Sequence, residues 1–204
     1  TDTWIDFHRT PAVGTGRAYV RPLNENSDAD PILAGALAGR SFLSTGPMIA
    51  FSLDNGAKPG DVSDSGKQNY TLTLASTVAL EKVEIVVNGK VLQTLAGIKS
   101  GETKKYQGQV ELPEGGWIAA RAYASEQRAD SWPSMHARPF AHSSPIWIKQ
   151  IGSTTTADKA KAAGELIRAI DATEIRAKKA YGDKPMPRLY ERFDEARKAL
   201  LNMQ

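Results

Sequence analysis

Three histidines, His8, His136 and His142, are the scarcest side chains in the sequence that could act in acid–base catalysis or ligate a metal. A zinc helix spaces two histidines four residues apart and adds a third ligand nearby. His136 and His142 are instead six residues apart, in a segment rich in Pro and Arg that predicts a loop over residues 133–144. This pattern favours a His142 that orders the loop by bonding to the backbone.

Carboxylates and glycines offer two further kinds of site. Asp54, Asp61 and Asp64 could place several oxygens around a calcium ion, but their spacing does not match an EF-hand loop. The Asp-Asn-Gly and Asp-Ser-Gly stretches that begin at Asp54 and Asp64 are typical of turns. A Gly-Thr-Gly stretch at residues 14–16 lacks the third glycine of a dinucleotide site and also predicts a turn. The sequence therefore predicts no complete catalytic site.

Aromatic side chains could form a stacking surface for a sugar or a peptide. The candidates are Trp117, Tyr123, Trp132 and Trp147. Trp147 alternates with two isoleucines, which predicts a strand with a buried face. Trp132 lies in a predicted loop of about twenty residues, longer than a passive connection usually is. We therefore expect a possible binding surface at Trp132, together with His136 and His142.

Composition limits the class of protein. The 204 residues are 41% hydrophobic and 24% charged, as in a globular protein that can bury a core. The net charge of +3 is spread along the chain and no apolar run reaches 18 residues, so neither a nucleic-acid partner nor a membrane is predicted. The absence of Cys excludes disulfides but leaves the compartment open, with an extracytoplasmic one (secreted or periplasmic, in a bacterium) favoured.

Hydrophobic residues alternate with a period of two over residues 42–150, which we interpret as one domain of about seven short strands. The clearest case is a run of Val83, Ile85 and Val87 into Asn88-Gly89, the pair that best fits a type I′ hairpin turn. The other predicted strands are Met48 to Leu53, Tyr70 to Ser76, Lys105 to Leu112, Trp117 to Ala124 and Pro145 to Ile148. An antiparallel sandwich of immunoglobulin-like type is expected.

The segments on either side of this domain have helical signals. Residues 1–41 are predicted to be a connector with one strand near Arg17 and a short helix capped by Asp30. Residues 151–204 change to Ala, Lys, Glu and Arg with a period near 3.6, with Thr156 or Asp158 as the cap. The fold class expected is therefore mainly β, with a short N-terminal helix and a C-terminal helical hairpin.

Three strings in order carry a resemblance to a known family. They are GRAYV at residues 16–20, AGALAGRSFLSTGP at residues 34–47 and AHSSPIWI at residues 141–148. Together they resemble the C-terminal half of the CehA/McbA-type PHP metallohydrolases, in which a metal-binding barrel precedes a strand, a short helix and a β-sandwich. The resemblance implies that the barrel and its metal ligands precede Thr1. It carries over Asp2 alone as a possible metal ligand, because Asp2 matches the end of the family's Gly-Thr-Asp segment.

A hydrolytic site of this kind needs several histidines and carboxylates to hold metal ions and generate hydroxide near neutral pH. The resemblance therefore implies a divalent metal in a full-length parent and no cofactor in these residues. The expected function is that of a non-catalytic accessory domain, which packs on the barrel or positions its substrate. If the domain packs on a barrel, we expect an exposed apolar patch on its surface. The alternative is a stand-alone carbohydrate- or peptide-binding sandwich.

Overall fold

A computed structural model describes residues 14–24, 29–125, 138–182 and 186–203. The chain divides into two compact units between Ser153 and Thr154, and each unit is described by itself. The first contains β1 (Arg17–Val20), α1 (Ala29–Leu37), β2 (Ser41–Ser44), β3 (Met48–Leu53), β4 (Val62–Ser63), β5 (Gly66–Ala75), β6 (Leu80–Val87), β7 (Lys90–Ile98), β8 (Thr103–Leu112), β9 (Gly116–Tyr123), β10 (Phe140–Ser143) and β11 (Ile146–Ile148). The second contains α2 (Thr156–Tyr181) and α3 (Pro187–Leu201).

The strands of the first unit form two sheets. Sheet A runs β1-β2-β10-β9-β11-β4, and the β6-β7 hairpin joins it through the other edge of β9. Sheet B runs β3-β5-β8. All pairs are antiparallel except β11 with β4. Side chains from both sheets share one core, among them Leu72 and Leu74 of sheet B and Ile85 and Ile118 of sheet A. This architecture confirms the mainly β, antiparallel sandwich with a short N-terminal helix and two C-terminal helices.

The Asn88-Gly89 turn has the conformation that its sequence predicts. Asn88 has φ of 48° and Gly89 has φ of 78°, and Val87 pairs with Lys90 across the turn. The Asn88 side chain also reaches a second turn, because its amide nitrogen donates to Gly115 O (3.1 Å) and its amide oxygen accepts from Trp117 N (2.8 Å). One residue thus fixes the hairpin and the start of β9.

The described residues contain eleven strands, whereas the sequence predicted about seven over residues 42–150 and one near Arg17. The loop predicted over residues 133–144 is wrong at its C-terminal end, because Phe140–Ser143 is a strand that pairs with both β2 and β9. Its two core-facing residues, Ala141 and Ser143, are too small and polar to give a hydrophobic period of two. The strand predicted in the connector belongs to the sandwich, because β1 pairs with β2. The boundary predicted at residue 41 therefore does not separate two structural units.

The helical pair follows the predicted pattern with two differences. The N-cap of α2 is Thr155, whose hydroxyl oxygen accepts from Asp158 N at 3.0 Å, and not Thr156 or Asp158. The helix ends at Tyr181 with Gly182 as its C-cap, and α3 packs on α2. Leu166, which belongs to the apolar period of α2, is 54% exposed and not buried. None of the described helices is both long enough and apolar enough to cross a membrane.

Candidate functional site

An open, mainly apolar groove with a volume of about 380 Å³ runs between the edge strand β1 of sheet A and the edge strand β3 of sheet B. Residues of β2 and β5 complete its walls, and the Lys58-Pro59 turn closes one end. We call this feature the edge groove. Its size falls within the range of about 300–1,000 Å³ that is typical of ligand-binding pockets.

One wall of the edge groove is aromatic. Tyr19 of β1 and Phe42 of β2 are cross-strand partners, and their rings stack with centroids 4.7 Å apart and planes 9° from parallel. Phe42 also packs on the sandwich core, which holds the pair in place. A half-buried, fixed aromatic pair offers a large apolar contact surface at little entropic cost.

The end of the groove near Lys58 is basic. The Nη2 atom of Arg21 donates to both carboxylate oxygens of Asp61, at 3.1 and 3.2 Å, and Arg40 approaches the same carboxylate at 3.4 Å. The backbone N–H of Lys58 also donates to Asp61, at 3.0 Å. Asp61 therefore orients two guanidinium groups and a turn. Three cations against one carboxylate leave an excess of two positive charges here.

The β3 wall of the groove presents unpaired backbone. Asp54 N–H donates to Asn69 O at 2.9 Å, which makes these two residues a hydrogen-bonded pair that continues the β3–β5 register. Only alternate residues of an edge strand bond to its neighbour. The N–H and C=O groups of Ile49 and Phe51 therefore point away from β5. No strand in the described part of the chain pairs with this edge.

His142, the one predicted site residue within the described ranges, lies in a row across sheet A with Arg121 and Glu84. Glu84 is 6% exposed and accepts hydrogen bonds from Arg121 Nε (2.6 Å) and from the Tyr123 hydroxyl (3.1 Å). His142 Nδ1 lies 2.6 Å from Ser143 O, so the ring bonds to the backbone as expected, although from a strand and not from a loop. Glu84, Arg121 and Tyr123 therefore satisfy one another, and His142 bonds separately to the backbone.

The other predicted site residues, Asp2, Trp132 and His136, lie outside the described residues and remain predictions. Within the described ranges, no group of three or more His, Asp or Glu side chains could hold a metal ion. Trp117 and Trp147 are cross-strand partners on β9 and β11 and are both half-buried.

Sequence reasoning missed the edge groove. Tyr19 and Phe42 lie within the first two strings of the resemblance, and the three strings supply β1, β2 and β10, which are adjacent in sheet A. The spacing of Arg21 after Tyr19, and of Arg40 before Phe42, puts an aromatic and a cation on the same strand face. That alternation was the available signal. No sequence signal marked β3 as an edge strand, because the residues of a strand do not specify whether a neighbouring strand pairs with each of its sides.

Comparison with known proteins gives no family. No family model and no curated protein matches the chain. Among solved structures, a CARDB domain from Pyrococcus furiosus is similar with a TM-score of 0.32 and 12% identity, over 50% of this chain and 94% of that one. The C-terminal domain of Wzt is similar with a TM-score of 0.32 and 6% identity, over 72% of this chain and 86% of that one. At these scores the similarity carries no argument about function.

Proposed function

We propose that the chain is a non-catalytic accessory domain of a metal-dependent, PHP-like hydrolase, and that it docks on the catalytic barrel through α1. The observation that carries the proposal is the direction of the apolar face of α1. A surface helix usually packs its apolar stripe against its own domain and turns its polar face to water. In α1 the large aliphatic side chains face outward instead.

The face of α1 that packs on the sandwich is made of small residues. Gly35 is buried, and a Cβ atom at this position would collide with the backbone carbonyl of Arg21. The opposite face is aliphatic and open, with Leu33 59% exposed, Leu37 81% exposed and Ile32 43% exposed.

Single exposed leucines are common on protein surfaces, but three large aliphatic side chains on one face of a nine-residue helix form a docking surface. Full burial of a side chain of this size is worth about 1.5–3 kcal/mol. The identity of the partner rests on the resemblance, in which a catalytic barrel comes directly before the strand and short helix that correspond to β1 and α1. The order of the three strings supports this assignment.

The proposal predicts where metal and activity are found. The 204-residue chain is expected to bind neither zinc nor manganese in stoichiometric amounts and to show no phosphoesterase or amidase turnover. A longer product that includes the sequence encoded upstream of Thr1 is expected to show both. Elemental analysis and turnover assays on the two proteins, purified in parallel, test this. Stoichiometric metal together with turnover in the 204-residue chain would overturn it.

A further inference from the structure

We propose that the edge groove binds an extended peptide from another polypeptide, which adds as a strand to the free edge of β3 and places a carboxylate at the basic end. This inference is independent of docking through α1, since the two surfaces use different residues and different forces. It rests on three properties of the groove: the open backbone of β3, the aromatic wall and the excess of cations.

The backbone of β3 supplies the first property. Ile49 and Phe51 together offer two N–H groups and two C=O groups, in the alternating order that a β-strand recognises. Leu53 ends this open stretch, because its N–H already donates to Ala57 O at 2.9 Å. At roughly 3.4 Å per residue, the free edge pairs with a peptide of about four residues. A polysaccharide has no groups with this spacing, which is why a peptide is favoured.

The walls supply the second property. Successive side chains of an added strand point to opposite sides. On one side they meet the stacked rings of Tyr19 and Phe42, and on the other they meet the half-buried hydroxyl-bearing side chains of Thr71 and Thr73. The groove therefore suits a peptide in which apolar and small polar residues alternate.

The charge at the Lys58 end supplies the third property. Asp61 occupies only part of the donor capacity of Arg21 and Arg40, since a guanidinium carries five N–H donors. Lys58 is exposed, and its ammonium group makes no ion pair with any residue in the described ranges. An acidic side chain at the end of the peptide complements this excess of positive charge, whereas a basic one is repelled.

The probe is the hexapeptide acetyl-Val-Thr-Val-Thr-Val-Glu amide, titrated into the full 204-residue chain by calorimetry. Two control peptides separate the contributions of charge and of backbone hydrogen bonds. One replaces Glu by Gln, and the other carries N-methyl groups on alternate backbone amides. N-methylation is expected to weaken binding at least about tenfold, because it removes two hydrogen bonds. The Gln peptide is expected to bind about two- to fivefold more weakly than the Glu peptide, the usual effect of an exposed ion pair.

A matched pair of variants tests the basic end. Lys58→Glu is expected to weaken binding of the Glu peptide about fivefold or more and to leave the Gln peptide unaffected. Lys99→Glu makes the same charge change at an exposed position directly after β7, at the edge of sheet A opposite β1, and is expected to have no effect on either peptide. Circular dichroism checks that both variants fold.

Four results would overturn the proposal. They are the absence of binding at millimolar peptide, equal affinity for the N-methylated peptide, equal effects of Lys58→Glu and Lys99→Glu, and binding that appears only after residues 1–13 are deleted or after a dimer of the chain is dissociated. The last result would assign the groove to the chain's own N-terminal residues or to a second copy.

Discussion

Asn88 shows how much of the sandwich depends on a single residue, because it holds its own turn and the one before β9. Replacement by Ala removes two side-chain hydrogen bonds. It also leaves alanine at a positive φ, which alanine adopts less readily than asparagine. We expect Asn88→Ala to lower the free energy of unfolding by about 2–3 kcal/mol. Asn88→Gly loses the same hydrogen bonds but accepts the backbone conformation, so its loss is expected to be smaller. Urea denaturation of both variants measures the difference, and equal losses would show that the backbone conformation contributes nothing.

Gly35 tests the contact between α1 and the strand that precedes it. Two effects oppose each other in Gly35→Ala: a gain in helix propensity of about 1 kcal/mol and a collision with the backbone carbonyl of Arg21. Because a carbonyl cannot rotate away as a side chain can, the collision is expected to dominate, with a net loss of about 1–2 kcal/mol.

The control for this change is Gly16→Ala, since an added Cβ at Gly16 meets no atom within 4 Å. Thermal melts of the two variants are expected to separate clearly, with Gly16→Ala close to the unmodified chain. A Gly35→Ala variant that melts at or above the unmodified chain would contradict the close packing of α1.

At the scale of elements, Arg197 joins the two helices of the second unit. Its guanidinium bonds to Asp171 (2.8 Å) and Glu174 of α2 and to Asp194 (2.8 Å) of α3. The hydrogen bond from Lys178, followed by that from Arg197, lowers the pKa of Glu174 below its ordinary value of 4.5. A carboxylate with a lowered folded-state pKa stabilises fully above the unfolded pKa, and this contribution is lost as the pH falls through the folded value.

We therefore expect the helical pair to lose stability as the pH falls below about 4.5, and Glu174→Gln to weaken this pH dependence. Thermal melts followed at 222 nm between pH 3 and pH 7 measure the effect. Glu165→Gln is the matched control on the same helix, because the Glu165 carboxylate lies 3.8 Å from Lys161 and bonds to neither Arg197 nor Lys178. The same pH profile for Glu174→Gln and the unmodified chain would contradict the role of this network.

The elements that sequence predicts well are those specified by neighbouring residues. Asn88-Gly89 specifies a hairpin and Asp30-Pro31 specifies a helix, although α1 already begins at Ala29, so Asp30 lies in its first turn and is not the predicted N-cap. β10 was missed because its core-facing residues are small and its pairing with β2 spans about a hundred residues of chain. The edge groove escaped prediction for the same reason, since it exists only where β1 and β3 meet.

At the scale of the whole molecule, the two units differ in how much they bury. The sandwich has a core to which both sheets contribute fully buried side chains such as Leu72 and Ile118. In the described parts of α2 and α3, Ala163 alone is buried, and Ile175 and Leu201 are 68% and 56% exposed. Two helices with so little burial are marginal by themselves, so the stability of the chain resides mainly in the sandwich.

The most direct test of the proposed docking through α1 is the binding of the 204-residue chain to the proposed catalytic barrel, produced separately. Leu37→Asp puts a charge on the open face of α1, and Leu92→Asp does the same at a 48% exposed leucine of β7. Calorimetry is expected to show at least about tenfold weaker binding for Leu37→Asp and unchanged binding for Leu92→Asp, with similar melting temperatures for both variants alone. Equal binding by both variants, or no binding by the unmodified chain, would contradict docking through α1.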